Sequence, residues 1–172
     1  MLQAETTVSR FLALLLDGFA SKHIYLRTPD DKTPSQPTQW GWTEEMEYDR
    51  GVGANVPVAH VRQATLIGYI DAEYLYLLPE ATYRYLQQAS QKANRTWPVD
   101  STTLLCELGD AELIRIAGGG EKRLDRLVNK KLNGQAKRCI WLKRDALKQV
   151  LGETLDDNQA DEREPGMEEV PF

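Results

Sequence analysis

The stretch from Glu121 to Lys148 limits the possible folds most, because it contains the dipeptide Asn133-Gly134. A two-residue type I′ turn needs positive φ at both corner residues, and Asn-Gly tolerates this better than other natural dipeptides. Counting outward from such a corner gives the expected cross-strand pairs: Leu132–Gln135, Lys130–Lys137, Val128–Cys139 and Arg126–Trp141. The sequence therefore predicts a β-hairpin whose apolar base packs on a core and whose cationic tip extends into solvent.

The formal charge is distributed unevenly along the chain. Residues 115–148 carry 11 Lys/Arg and 3 Asp/Glu, whereas residues 149–172 carry 1 and 8, so a basic segment precedes an acidic tail. Like charges that face each other across a hairpin reduce its stability, so we expect an external polyanion to neutralise them. The candidate nucleic-acid-binding residues are Lys122, Arg123, Arg126, Lys130, Lys131, Lys137, Arg138 and Lys143.

Several classes of protein are disfavoured by composition. The longest apolar run, 11–16, is far shorter than the roughly 20 residues that span a bilayer, and no signal-peptide pattern is present, so no membrane association is expected. Cys106 and Cys139 are too few for a disulfide scaffold and are expected to be reduced, buried thiols of a cytoplasmic protein. His23 and His60 lack zinc spacing. Without a nucleophile–base set or a metal cluster, we expect no enzyme activity, no metal and no cofactor.

The remaining chain alternates helical and strand patterns. The predicted elements are a helix from Thr6 or Thr7 to Ala20, a strand over 23–27, an irregular Pro/Gly-rich segment over 28–63, a hairpin over 65–78 with its corner at Asp71-Ala72, a helix from Pro79 to Asn94, a helix from Asp100 or Ser101 to Ala111, and a strand over 113–116. A helix, a link, a helix, a strand and a basic hairpin in this order predict an α+β fold with a winged helix-turn-helix.

This order divides the chain into three parts. Residues 1–64 form an N-terminal helix and an irregular segment packed on the core, residues 65–150 form the winged-helix domain with its basic β-wing, and residues 151–172 form a disordered acidic tail.

Aromatic side chains are the second candidate for contacts with nucleic acid. With the corner at Asp71-Ala72, Tyr69, Tyr74 and Tyr76 share one face of the hairpin with Ile67, while Leu66 faces the other way. Tyr69, Tyr74, Tyr76, Trp40 and Trp42 could stack on nucleobases. The alternative is that the tyrosines form the underside of a small sheet and that the tryptophans attach their loop to the core.

Three motifs carry a resemblance to a known family: GYIDAEYLYLLPEATYRYLQQA, PVDSTTLLCELGDAELI and the basic hairpin that ends in CIWL. Together they resemble the C-terminal region of primase-helicase proteins of phages, plasmids and integrative elements. The resemblance covers about residues 66–142 and implies a non-catalytic winged helix that acts in the replication of a mobile element. Here Ala72 stands where that family has Gly. Residues 100–112 carry four acidic residues and no basic one, so readout of a DNA groove by this helix is not expected.

The end of the chain carries a second resemblance. Glu168, Glu169, Val170, Pro171 and Phe172 resemble the C-terminal tip of bacterial single-stranded-DNA-binding proteins. The resemblance implies that replication or repair proteins bind this tip, with the phenyl ring in an apolar pocket and the carboxylates near a basic rim. The same tail could instead fold back on the basic wing.

Three functions follow from these patterns, in order of preference. The first is a non-catalytic protein that binds DNA, single-stranded by preference, in mobile-element replication and recruits replication or repair enzymes through its tip. The second is an adaptor subunit of a primase, polymerase or helicase assembly. The third is a regulator that binds double-stranded DNA, which would need the basic recognition helix that the chain lacks.

Overall fold

The structure is a computed structural model that describes residues 6–116 and 126–148. It confirms a mixed α+β fold. In chain order the elements are α1 (Thr7–Ala20), β1 (Ile24–Arg27), a 3-10 helix (Pro37–Trp40), β2 (Thr43–Asp49), β3 (Ala54–His60), β4 (Thr65–Ile70), β5 (Tyr74–Leu77), α2 (Pro79–Lys92), α3 (Ser101–Asp110), β6 (Val128–Leu132) and β7 (Gln135–Lys143). Residues 144–148 form one further helical turn. None of the helices in these ranges has the length and apolar character needed to cross a bilayer.

The helices begin at the residues that the sequence predicts. The side chain of Thr6 accepts a hydrogen bond from Ser9 N–H at the start of α1, and Asp100 accepts one from Thr103 N–H at the start of α3. Each satisfies a backbone donor that has no partner within its helix. Pro79 occupies the first position of α2, and Asn94 lies just beyond that helix with φ 55°, the left-handed conformation expected there.

A five-stranded sheet organises the fold. Its strand order is β1-β4-β5-β7-β6, with β1 parallel to β4 and every other pair antiparallel. One face packs on the helices in a core that extends from Phe11 in α1 to Leu147 near the end of the described chain. The first predicted part thus shares one core with the second. The third predicted part, 151–172, lies outside the described residues.

A separate two-stranded hairpin, β2–β3, lies within the segment that the sequence predicts to be irregular. The segment is more regular than expected because its breakers are placed where strands tolerate them. Gly51 and Gly53 fall in the turn, and Pro57 lies in a strand with only one neighbour, the kind of strand in which proline is tolerated.

The β4–β5 hairpin differs from the prediction in its corner. Ile70 pairs with Leu75, so Ala72-Glu73 form the corner in place of Asp71-Ala72. The pairing has moved by two residues, and since side chains alternate with a period of two, Tyr69 and Tyr76 still share a face. The pairing of β4 with β1 contains a register shift between Tyr25 and Leu26. Residues of β4 before this irregularity therefore face the side opposite to the one expected, and Ile67 packs in the core beside the helices.

The β6–β7 hairpin confirms the predicted corner. Asn133 and Gly134 have φ of 50° and 79°, and the pairs Leu132–Gln135, Lys130–Lys137 and Val128–Cys139 form as predicted. The expectation that the tip extends into solvent is correct only in part: Lys131 and residues 133–136 are exposed, but one side of the tip is covered. Leu132 is fully buried, and Asn133 N–H donates to the carbonyl of Pro29 at 2.8 Å, so the tip lies against the loop that follows β1.

The predicted pair Arg126–Trp141 does not form. Beyond Cys139 the edge of β7 is occupied by residues 113–115: Ile114 bridges Leu142, and Arg115 N–H donates to the carbonyl of Trp141 at 2.9 Å. The strand expected over 113–116 is therefore reduced to a single bridge. Residues 113–115 take the place beside β7 that the base of the basic hairpin was expected to occupy, and the β6–β7 ladder stops at Val128.

Candidate nucleic-acid interface

Basic side chains are concentrated on the β6–β7 hairpin, which we call the wing (residues 126–144). This stretch holds seven Lys/Arg and no Asp or Glu. Strand alternation divides the cations between two faces. Lys130, Lys137 and Lys143 share the face of Trp141, while Lys131 and Arg138 point to the other side, where the helices lie.

The face that carries Trp141 is covered by an aromatic cluster. The ring centroids of Tyr76 and Trp141 are 4.9 Å apart at 90°, and Tyr74 lies 5.3 Å from Trp141. Trp141 Nε1 donates to the carbonyl of Val128 at 3.1 Å, which ties the cluster to β6. Tyr69, Leu132 and Cys139 complete a second buried cluster on this side of the sheet.

Two cations lie over these rings. Lys130 Nζ is 4.8 Å from the ring centroid of Tyr76 and 5.5 Å from that of Trp141, and the guanidinium of Arg115 is 4.8 Å from Trp141. Such distances are typical of cation–π contacts. Lys130 is therefore already engaged within the protein, in addition to any contact it makes with phosphate.

The rings proposed for base stacking are mostly covered. Tyr69 and Tyr76 are 4% and 2% exposed, and Trp40 and Trp42 are buried. Trp42 Nε1 donates to the carbonyl of Leu26 at 2.7 Å. The tryptophans thus take the packing role that was the alternative interpretation. Among the five candidates only Tyr74, which is half-buried, presents part of its ring to solvent.

Asp71 fixes the corner beside this cluster. Its carboxylate accepts hydrogen bonds from Glu73 N–H and Tyr74 N–H, both at 2.9 Å, and from the hydroxyl of Tyr76. Partial burial favours the neutral acid, but the Tyr76 hydroxyl and the two N–H groups favour the carboxylate, and the pKa of Asp71 falls below its ordinary value of 3.8. Burial first, and Asp71 second, raise the pKa of Tyr76. Asp71 is a turn residue with a structural role.

Of the remaining candidate residues, Arg126 lies in the described part of the chain. Arg126 lies against α3, where its Nε is 3.4 Å from the position that a Cβ on Gly109 would take. Lys122, Arg123 and the tail residues 168–172 lie outside the described part of the chain. The sequence prediction omitted Arg115 and Arg84 from the basic surface. Arg115 lies within the basic segment 115–148, so the sequence could have suggested it. Arg84 comes near the wing only because α2 packs there, which the sequence alone does not show.

A groove of about 600 Å³ separates the start of α2 from the wing. Its apolar lining comes from Leu78, Pro79, Ala81 and Leu127, and its charged lining comes from Arg84, Lys137, Arg138 and Glu80. We call it the wing groove. Cationic groups around an apolar floor suit a ligand that combines acidic and apolar groups.

The β2–β3 hairpin brings together one cluster that the sequence did not suggest. Glu45, Glu47 and His60 place one ligand atom each within 4.8 Å of one another. His60 Nε2 lies 2.7 Å from Glu47 Oε1, and Arg62 donates to Glu45 at 2.8 Å. Both carboxylates therefore have side-chain partners within the protein, and these two pairs explain the cluster without a metal ion.

No family model matches the chain, and neither the curated proteins nor the solved structures include a significant match.

Proposed function

We propose that this chain is a non-catalytic DNA-binding protein that contacts single-stranded DNA through its wing. The observation that carries the proposal is that residues 126–144, the β6–β7 hairpin and the residues that flank it, hold seven Lys/Arg and no acidic residue in an otherwise acidic chain. Phosphate contacts dominate the affinity of proteins for nucleic acid, and each needs a cation within reach of the backbone.

The order of elements supports a winged-helix arrangement. The strand β5, the helices α2 and α3, the bridge at Ile114 and the wing follow one another, and β5 and β7 are neighbours in the sheet. In such a fold the second helix reads the major groove, but α3 is acidic here and would be repelled by phosphates. This favours single strands over a specific duplex site.

The cellular role rests on the two sequence resemblances. The protein would act in the cytoplasm during replication of a mobile genetic element, and its acidic tip would recruit replication or repair enzymes. The acidic surface of α3 favours one second candidate, an adaptor that joins a basic partner such as a primase, polymerase or helicase subunit.

Fluorescence anisotropy with labelled single- and double-stranded oligonucleotides tests the proposal. If the wing engages about four to six phosphates, the slope of log K against log salt is about −3 to −4 for a single strand. The double variant Lys131→Glu/Arg138→Glu should weaken binding by about tenfold or more at low salt and should make the slope less negative.

The matched control is Arg50→Glu/Lys92→Glu, which removes the same charge from exposed positions away from the wing. It should bind nearly as the parent does. Equal affinity of all three proteins, or a salt-independent affinity, would contradict the proposal. A protein that binds no oligonucleotide but captures a basic replication subunit would support the adaptor instead.

A further inference from the structure

Three large apolar side chains are unusually exposed in the described residues, and all three belong to one element. Met46 is 64% exposed, and Tyr48 and Val52 are each 66% exposed. Met46 and Tyr48 lie in β2, and Val52 lies in the turn that joins β2 to β3. Scattered exposed apolar residues are normal, but a cluster on a single element marks an interaction surface.

Met46 and Tyr48 lie on one face of the β2–β3 hairpin. They are neighbours on that face of β2, opposite Pro57 and Asn55 of β3. The opposite face holds the His60–Glu47 and Arg62–Glu45 pairs. Because a two-stranded hairpin is marginally stable by itself, an uncovered apolar face is expected to gain stability from a partner.

The charges of the β2–β3 hairpin indicate what kind of partner it would bind. The hairpin is acidic as a whole, since residues 43–60 hold four acidic residues and one basic residue; of the four acids, Glu44 shares the face of Met46 and Tyr48, and the other three lie on the opposite face. A second hairpin of the same kind would be repelled, whereas a surface that combines apolar and cationic groups would be attracted. The wing groove is such a surface, since Leu78 and Leu127 lie beside Arg84 and Lys137.

The two surfaces lie at different sides of the fold. The hairpin follows the 3-10 helix that packs beside β1, at one edge of the five-stranded sheet, and the groove borders β6 and β7 at the other edge. Contact between them therefore requires two molecules.

We propose that the Met46/Tyr48 face of one copy docks in the wing groove of a second copy. The interface is heterologous, so a dimer keeps one free hairpin and one free groove, and the assembly grows head to tail. Self-association in this form goes beyond DNA binding, and it can be measured on nuclease-treated protein without any oligonucleotide.

Sedimentation velocity over a range of protein concentrations tests the proposal. The full chain should grow in mass with concentration at low salt and return toward a monomer at high salt, because the contact includes charge pairs. Two variants should each stay monomeric: Met46→Ser/Tyr48→Ser, which removes the apolar face, and Arg84→Glu/Lys137→Glu, which reverses two of the three cations that line the groove. Ala54→Ser and Lys92→Glu are the matched controls and should associate as the parent does.

Mixing the two monomeric variants is the decisive step. The first retains an intact groove and the second an intact hairpin, so the mixture should form a one-to-one complex that does not grow further. A parent chain with a dissociation constant weaker than about 100 μM would overturn the proposal. So would a mixture without complex, or a dimer that only the hairpin variant breaks, which would show pairing between like surfaces.

Discussion

Replacing Leu132 by Ala distinguishes a wing tip that is packed from one that extends into solvent. Leu132 is fully buried and packs with Tyr69, Tyr76, Cys139 and Trp141. Truncation of a buried Leu costs about 2–5 kcal/mol through lost apolar contact and a residual cavity. Because this cluster is small and lies under a hairpin that can partly collapse, we expect about 2–3 kcal/mol in the free energy of unfolding.

The assay is chemical denaturation followed by tryptophan fluorescence and circular dichroism. Gln135→Ala is the matched control, because Gln135 pairs with Leu132 across the corner but is exposed. It should change stability by less than about 0.5 kcal/mol. If Leu132→Ala lowers the free energy of unfolding as little as Gln135→Ala does, the tip does not pack on the sheet. The placement of Lys130 over the rings of Tyr76 and Trp141 would then be refuted as well.

Three further predictions concern positions with unusual surroundings. Gly41→Ala should destabilise far more than Gly53→Ala, since both have positive φ (90° and 74°) but an added Cβ at Gly41 would lie 1.9 Å from the carbonyl oxygen of Ile24, while Gly53 has open space; thermal unfolding of both variants checks this. The lowered pKa of Asp71 means that its stabilisation is present above the unfolded-state value of about 4 and is lost as pH falls through the lower folded-state value, so Asp71→Asn should flatten the stability curve below about pH 4. Burial raises the pKa of Cys139 to about 11, so a thiol reagent at pH 8 should modify the half-buried Cys106 first and Cys139 only after unfolding, as peptide mass spectrometry would show.

Local chemistry predicts much of this fold because its signals act over a few residues. Asn133-Gly134 needs no other part of the chain to form a type I′ corner, and the cap residues Thr6 and Asp100 act within one helical turn. The face of a strand on which each side chain lies is also set locally, by alternation along the strand. A corner that moved by one residue shifted the cross-strand pairing by two, and Tyr69 and Tyr76 stayed on one face, since only an odd shift in pairing reverses a strand.

Contacts between distant segments explain what the sequence did not predict. The wing tip meets the loop at Pro29, a hundred residues earlier, and Arg115 takes the position beside Trp141 that the ladder alone would give to Arg126. The β2–β3 hairpin was missed for a different reason. Residues 45–49 do alternate acidic and apolar side chains, which is a strand pattern, but the glycines and prolines around them indicate a loop when they are counted without regard to position.

The candidate site changes most when the two faces of the wing are considered separately. On one face Lys130 lies over Tyr76 and Trp141 and stabilises the fold, whereas Lys131 and Arg138 point to the opposite side. Phosphate contacts on that opposite side would lie beside the wing groove, which Arg138 and Lys137 help to line. A DNA strand and the acidic hairpin of a second copy would then require the same cations. Binding at one would weaken the other by an equal free energy, because linkage is reciprocal. Head-to-tail assembly should therefore dissolve as single strands are added, and the wing variant Lys131→Glu/Arg138→Glu should reduce both activities together.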